Sequence, residues 1–327
     1  MAAIFARRPI LTTAAATAVV GTAFYMSRPK PLRLDSAYSE PSKTLSFPRS
    51  MIFSQSLKVK AVEQVNHDTK RITFELPGGE REISGVPASC MWKKPVYQST
   101  FWGWMANNVS AAILTQHTAP GDWLPTLRPY TPISEPTQRG TLDLMVKHYP
   151  SGRASTHMHN LQPGDSLTVR GPIPGYGYKS SPAQPRSVVL VAGGAGITPI
   201  FSLARDILTN DSKDQTSVQL LWGVNGSRDI VLRRELEELE AQFPQRLRVT
   251  YAVSGSGPTE NDKEKYRKGY VDRVLLEEAI AKCGSNFGDQ KGTKVFLCGP
   301  PKMEEAVAGK TGVLAELGLS KKEIHRF

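Results

Sequence analysis

Three cysteines, Cys90, Cys283 and Cys298, are all that 327 residues contain. So low and odd a count excludes a disulfide framework and points to a reducing compartment. Long apolar runs are as scarce. One stretch, residues 10–26, carries no charge, so a polytopic membrane protein is excluded. Acidic side chains are short, 30 against 41 basic ones, for a net charge of +11, and residues 1–34 have none. That balance suggests an acidic partner or an anionic surface. No helix-turn-helix, zinc-finger or RNA-binding signature accompanies it, so nucleic acid is set aside. What is present, 39% hydrophobic and 22% charged residues, excludes a wholly disordered chain and suits roughly two domains.

The apolar run at the amino end would form a helix of roughly 26 Å, close to a hydrocarbon core of about 30 Å. Arg7 and Arg8 precede it, Tyr25 lies at its boundary, and Arg28, Lys30 and Arg33 follow. Flanking cations and an interfacial ring can make up the difference. A cleaved secretory signal, a mitochondrial presequence and a permanent single-span anchor compete. The reading adopted for residues 1–34 is an anchor combined with mitochondrial targeting. Residues 35–50, with Ser36, Ser39, Pro41, Ser42 and Pro48, read as a tether.

Residues 51–180 read as the first globular region. Short β-branched runs at 57–65 and 71–76, separated by Asn66-His67-Asp68-Thr69, predict a hairpin. Leu142, Leu144 and Val146 alternate with polar neighbours, a half-buried strand. Many short strands with turn signals suggest a closed antiparallel barrel. Within it stands RPYTPIS, residues 128–134, where two prolines stiffen the backbone and fix side-chain directions. Its Arg can grip a phosphate and its Tyr can lie on an aromatic ring. VKHY at 146–149 ends the alternating strand, and GRAST at 152–156 opens a helix expected over 156–161, an anion-binding arrangement. His157 and His159 form an H-x-H pair with no ligand set around it, so no metal is expected.

These motifs, in this order, resemble the flavin domain of ferredoxin-reductase-type flavoproteins, NADH–cytochrome b5 reductases in particular. The resemblance implies FAD bound by the barrel. It implies Arg128 on the pyrophosphate, Tyr130 and Ser134 on the flavin–ribityl part, and Thr131 near the reactive ring nitrogen. Lys147 and Tyr149 would add flavin contacts, and Gly152, Ala154 and Ser155 the phosphate-binding turn.

Residues 181–327 read as a second region, after a linker at 181–185. The continuous apolar run 187–192 suits a parallel strand buried on both faces. GGAGITP, residues 193–199, follows, then a helical pattern over 200–208 with Pro199 at its first position and Thr198 as a cap. Strand, glycine-rich turn and helix is the geometry for a pyrophosphate, although Pro199 replaces the third glycine of the usual pattern. Further strands at 218–224, 247–253 and 295–298 alternate with helices at 230–243 and 271–282, and CGPP at 298–301 opens another at 302. Repeated βα units imply a parallel sheet with ligands at the strand carboxyl ends. The same resemblance continues here, to the NAD(P)H module. It implies that Gly193, Gly194 and Gly196 approach the dinucleotide and that Thr198 sits at the flavin–nicotinamide contact. Cys298 would lie beside the nicotinamide, with Gly299, Pro300 and Met303 shaping that pocket. Asp229 is the candidate for the ribose hydroxyl, which favours NADH. It could equally cap a helix starting at Ile230, and Arg228 beside it could receive a 2′-phosphate.

Residues 89–109 interrupt the pattern. They hold Trp92, Tyr97, Phe101, Trp102 and Trp104, and read either as a contact loop or as translated non-coding sequence. The fold class expected is thus an anchor, an antiparallel FAD barrel and an α/β NAD-binding domain. The expected activity is NADH oxidation through FAD to cytochrome b5, an acidic haem protein, from the cytosolic face of the mitochondrial outer membrane or as a processed intermembrane-space form. Another acceptor, such as a quinone, and a non-catalytic nucleotide-binding protein stand as alternatives.

Overall fold

Short apolar-rich segments build two six-stranded sheets, one from each half of the chain. The computed structural model describes residues 43–44, 54–85, 112–173, 176–178, 180, 186–255, 265–283 and 293–327. The expected anchor, the insert and the linker lie outside the described residues, as does the tether apart from Lys43–Thr44 (β1). Those two residues pair in parallel with Glu82–Ile83 (β4). Among the described residues no helix is long and apolar enough to cross a membrane.

The first sheet is antiparallel. It contains Gln55–Gln64 (β2), Thr69–Glu75 (β3), Ala112–His117 (β5), Thr126–Tyr130 (β6), Thr141–Lys147 (β7) and Ser166–Ile173 (β8), ordered β6-β5-β8-β2-β3-β7. The hairpin read from the sequence is β2–β3. Asn66 Oδ1 accepts from Asp68 N at 3.1 Å across its turn, the local bond that makes Asn a turn former. Leu57, Val59, Ile72, Phe74, Leu142, Leu144, Leu167 and Val169 fill the core of this lobe.

Closure differs from expectation, because among the described residues no ladder joins the edge strands β6 and β7. Pro129 and Pro132 lack the N–H groups a ladder needs, which keeps β6 at an edge. The gap is spanned by the segment after β6, where Ile133 N donates to Asp143 O at 2.9 Å. β7 also differs, being buried on both faces. Leu142 and Leu144 face the first core, whereas Met145 packs with Ile133 and Tyr178 into the core of the second lobe.

The second sheet is wholly parallel. Its strands are Ser187–Gly193 (β9), Ser217–Val224 (β10), Leu247–Val253 (β11), Tyr266–Lys268 (β12), Thr293–Cys298 (β13) and Ile324–Arg326 (β14), ordered β12-β11-β10-β9-β13-β14. Helices cover both faces, which is why β9 reads as one apolar run. Val188, Leu190 and Ala192 join the core under Ile197–Thr209 (α2) and Arg233–Gln242 (α3). Val189 and Val191 join the opposite core under Arg273–Lys282 (α4) and Pro301–Ala308 (α5). The sheet grows outward on both sides from β9, so a crevice opens at the carboxyl ends of β9, β10 and β13.

Three helix starts are corrected. The helix of the first lobe, Arg153–Asn160 (α1), begins before the expected Thr156. α2 begins at Ile197, directly out of the Gly194–Gly196 turn, with Gly196 at its N-cap. Thr198 therefore caps nothing, and Pro199 stands third, within the first turn, where a missing N–H is harmless. α3 begins only at Arg233, because Leu232 takes a left-handed φ of 52°. Leu232 is 4% exposed, so core burial offsets that strain.

Candidate active site at the junction of the two sheets

β6 and its extension present the first set of groups. Arg128 is exposed, and its Nη1 donates to the neighbouring Leu127 O at 2.8 Å. Tyr130 is half-buried. Burial, reinforced by the phenol of Tyr149 and opposed by Arg128, pushes its hydroxyl up to about 12. Thr131 and Ser134 are buried, and Ser134 Oγ accepts from Asp143 N at 3.2 Å.

The turn into α1 is shaped by the small residues expected there. Ser155 Oγ accepts from Tyr149 N at 3.1 Å and donates to Gly152 O at 2.9 Å. A Cβ on Gly152 would meet Ser155 Oγ at 2.6 Å and Tyr149 Cβ at 3.0 Å, so a larger residue would have to displace that hydroxyl. Ala154 is buried beneath the turn. No side chain caps α1, so its first N–H groups remain available to an anion, next to an exposed guanidinium. This donor set fits the pyrophosphate of FAD.

The second lobe contributes two turns about 100 residues apart. A Cβ on Gly196 would stand 2.1 Å from Cys298 O, and one on Gly193 2.4 Å from Met303 Sδ and 2.8 Å from Pro300 Cδ. Those two glycines are required by the packing of GGAG against CGPP. Gly194, at φ +51°, has open space where a Cβ would point and holds Trp222 Nε1–H on its carbonyl at 3.1 Å. Gly299 N donates to Glu304 Oε1 at 3.1 Å. Burial, with the charge of Glu304 adding to it, pushes the Cys298 thiol up to about 12. It is neutral at pH 7 and is no nucleophile. Thr198 Oγ1 donates back to Ala195 O at 3.4 Å. The outward-facing glycine at a helix start fits a dinucleotide.

Three contacts join the lobes here. Arg205, on α2, donates from Nη1 to Ile133 O and from Nη2 to Ser134 O, each at 2.8 Å. The β2–β3 turn lies against Ser227–Asp229, with Asn66 Nδ2 donating to Arg228 O at 3.0 Å. Lys147 Nζ lies 2.6 Å from Asp68 Oδ2 and 3.5 Å from Asp229 Oδ1, and His67 Nε2 lies 3.5 Å from the same Asp229 oxygen. Burial alone would lower the Lys147 ammonium, but the hydrogen bond and charge of Asp68 outweigh it and raise its pKa. Asp229 Oδ2 accepts from Gly226 N at 2.8 Å, so it caps a short turn rather than a helix at Ile230. Tyr149, also raised by burial, lies within charge range of Lys147, Asp68 and Cys298. Tyr130, Tyr149, Cys298 and the glycine-rich turn therefore meet at one junction.

His157 and His159 diverge. His157 stacks on His117, 3.7 Å between ring centroids, while a His159 ring nitrogen lies 2.8 Å from Val146 O. In the sequence His67 and Asp68 read only as turn residues, and no motif marks Arg205 or the two exposed aromatics Trp123 and Tyr270. A charged pair inside the apolar pattern of 197–208 was the one available signal for Arg205.

An antiparallel anion-binding lobe joined to a parallel dinucleotide lobe defines a two-lobe flavin and pyridine-nucleotide oxidoreductase. The family described as oxidoreductase FAD-binding domain matches residues 112–178, and the oxidoreductase NAD-binding domain matches residues 190–309. NADH-cytochrome b5 reductase 2 of Botryotinia fuckeliana is 36% identical over 284 residues, 83% of this chain and 72% of that protein. The protein of the same name from Coccidioides immitis is 34% identical over 326 residues, 95% of this chain and 88% of its own. Among solved structures, the cytochrome b5 reductase domain of Ulva prolifera nitrate reductase superposes with a TM-score of 0.66 at 24% identity, covering 85% of this chain and 98% of that one. The CS-b5R domains of human Ncb5or give a TM-score of 0.62 at 24% identity, covering 84% and 69%. The chain belongs to the NADH–cytochrome b5 reductase family of ferredoxin-reductase-type flavoproteins.

Proposed function

We propose that this chain oxidises NADH and passes the electrons through FAD, one at a time, to cytochrome b5. The observation that carries the reading is the convergence of Tyr130 and Tyr149 from one lobe with Cys298 and the Gly194 turn from the other. FAD, when bound, supplies the exchange between a two-electron donor and a one-electron acceptor. The chain's own residues bind and orient. Arg128 and the uncapped start of α1 hold the pyrophosphate, with Gly152, Ala154 and Ser155 shaping the turn. Tyr130, Thr131, Ser134, Lys147 and Tyr149 line the flavin side. Gly193, Gly194 and Gly196, with Gly299, Pro300 and Met303, would form the floor for NADH, and Thr198 would stand between the two sites. Cys298, as a neutral thiol, adds no charge beside the nicotinamide. Asp229, already facing His67 and Lys147, would receive the ribose hydroxyls. No residue has to act as a general base, so proximity carries the rate.

The test is absorbance. Purified protein is expected to be yellow and to bleach under anaerobic conditions when NADH is added, with cytochrome b5 restoring the colour. A colourless protein that reduces no acceptor overturns the reading.

We further propose that residues 10–26 anchor the chain in the mitochondrial outer membrane with the body in the cytosol. Support comes from the acid-free segment 1–34 and the cations flanking its apolar run. Protein that stays with mitochondrial membranes through alkaline carbonate, and is digested by external protease, is the expected result. Release by carbonate overturns the anchor, and protection from protease favours an intermembrane-space form.

A further inference from the structure

Trp123 is 98% exposed and Leu124 beside it 79%, on the loop between β5 and β6. The loop holds them in place. Asp122 N donates to Ala119 O at 3.0 Å, and Gly121 turns the chain at φ +87°. Pro120 and Pro125 fix the backbone on either side. The Asp122 carboxylate pairs with the guanidinium of Arg153, the first residue of α1. The indole is therefore stationed beside the uncapped helix start, with no group of the described residues covering it.

Position along the chain gives this indole a partner. Tyr130 and Thr131, at the inner end of β6, belong to the lobe junction. Arg128 follows two residues outward, where the pyrophosphate is assigned. Five residues further out stands Trp123, at most about 17 Å away at roughly 3.3 Å per residue. The parts of FAD run in the same order: ring system, pyrophosphate, adenosine. What lies beyond the pyrophosphate is a flat purine, and what the protein offers beyond Arg128 is a flat, uncovered indole.

We propose that Trp123 stacks on the adenine of FAD and makes the protein prefer FAD to flavin mononucleotide, which lacks that ring. The proposal rests on the FAD reading, and the experiment separates the two. Full-length protein is stripped of flavin, and its dissociation constants for FAD and for FMN are measured in wild type, Trp123→Ala and Trp123→Phe. Aromatic stacking on a base predicts that Trp123→Ala binds FAD about tenfold more weakly and that Trp123→Phe stays within about threefold of wild type. FMN should bind all three alike. Unchanged FAD affinity in Trp123→Ala overturns the proposal alone, and so does an equal loss for FAD and FMN, which would indicate damage to the fold or the phosphate site. A wild type that binds no FAD overturns the cofactor reading and the proposal with it. ADP supplies a second readout, because it carries adenine without flavin. It should quench wild-type indole emission and leave Trp123→Phe unchanged, whereas equal quenching in both overturns the stacking.

Discussion

Arg205 is only 5% exposed. Its Nη atoms satisfy two carbonyls of the opposite lobe, while its buried Nε has no partner. Asp206 is its sequence neighbour, and adjacent helical residues do not face each other. Burial pushes the Asp206 carboxyl up to about 7, opposed by the charge of Arg205. Two predictions follow from this pair. Arg205→Gln should lower the unfolding free energy by about 2 kcal/mol or more, since hydrogen bonds from a charged donor are worth about 1.5–3 kcal/mol each. It should also slow flavin bleaching by NADH in a rapid-mixing experiment, because Ile133 and Ser134 adjoin Thr131. Arg205→Lys should recover part of both, and unchanged bleaching in Arg205→Gln would reduce the residue to a structural part. For Asp206 the sign follows from proton linkage. A carboxyl raised in the folded state binds its proton more tightly there, so stability is lost as pH rises from about 4 to about 7 and levels off above. Asp206→Asn should remove that slope from urea midpoints measured between pH 5 and 8. A slope identical to wild type would contradict the assignment. The sequence shows only a charged pair inside an apolar helix, because the partners of Arg205 stand some seventy residues away and are backbone atoms.

Among the elements, strands were easier to read than helix starts. Alternation or a continuous apolar run reports directly on which faces are buried, and β2, β3, β9, β10, β11 and β13 lie where those patterns placed them. A helix start depends on caps. Here α1 and α2 begin behind glycines that offer no side chain, and α3 is delayed by a left-handed Leu232 that no propensity anticipates. The glycine-rich motif is plain in the sequence, yet its three glycines serve two ends, Gly193 and Gly196 the packing of the turns and Gly194 the turn of the backbone. Gly196→Ala would place a Cβ 2.1 Å from the Cys298 carbonyl oxygen, a rigid backbone atom, and should force the two turns apart. Gly194→Ala meets nothing within 4 Å and bears only the positive φ of its backbone, a cost of about 1–2 kcal/mol. Gly196→Ala is therefore expected to keep its flavin colour but lose NADH-dependent bleaching by tenfold or more, on the order of the 1.4 kcal/mol that a decade represents. Gly194→Ala should lose thermal stability by a few degrees and less activity. The reverse ranking would show that the tight fit between the turns is unimportant.

At the scale of the whole molecule, two kinds of electrostatics act over different distances. The contacts that join the lobes, Lys147 with Asp229 and Arg205 with its carbonyls, are at least half-buried, so salt screens them weakly. The net charge of +11 acts through solvent, over a Debye length that shrinks from about 30 Å at 0.01 M salt to about 8 Å at 0.15 M. An acidic haem protein approaching this surface feels the second kind alone until it docks. Cytochrome b5 reduction should therefore lose roughly tenfold or more in kcat/KM across that salt range, the scale of electrostatic steering. Reduction of an uncharged quinone dye by the same enzyme should change little, since neither its encounter nor the lobe junction depends on long-range charge. Equal salt sensitivity for the two acceptors would mean that salt acts on the enzyme itself, by loosening the junction or weakening NADH binding. Protein–protein steering would then have no part in the rate. Melting temperatures at both salt concentrations decide between those causes, because a loosened junction lowers the melting temperature of the unliganded enzyme and weaker NADH binding does not.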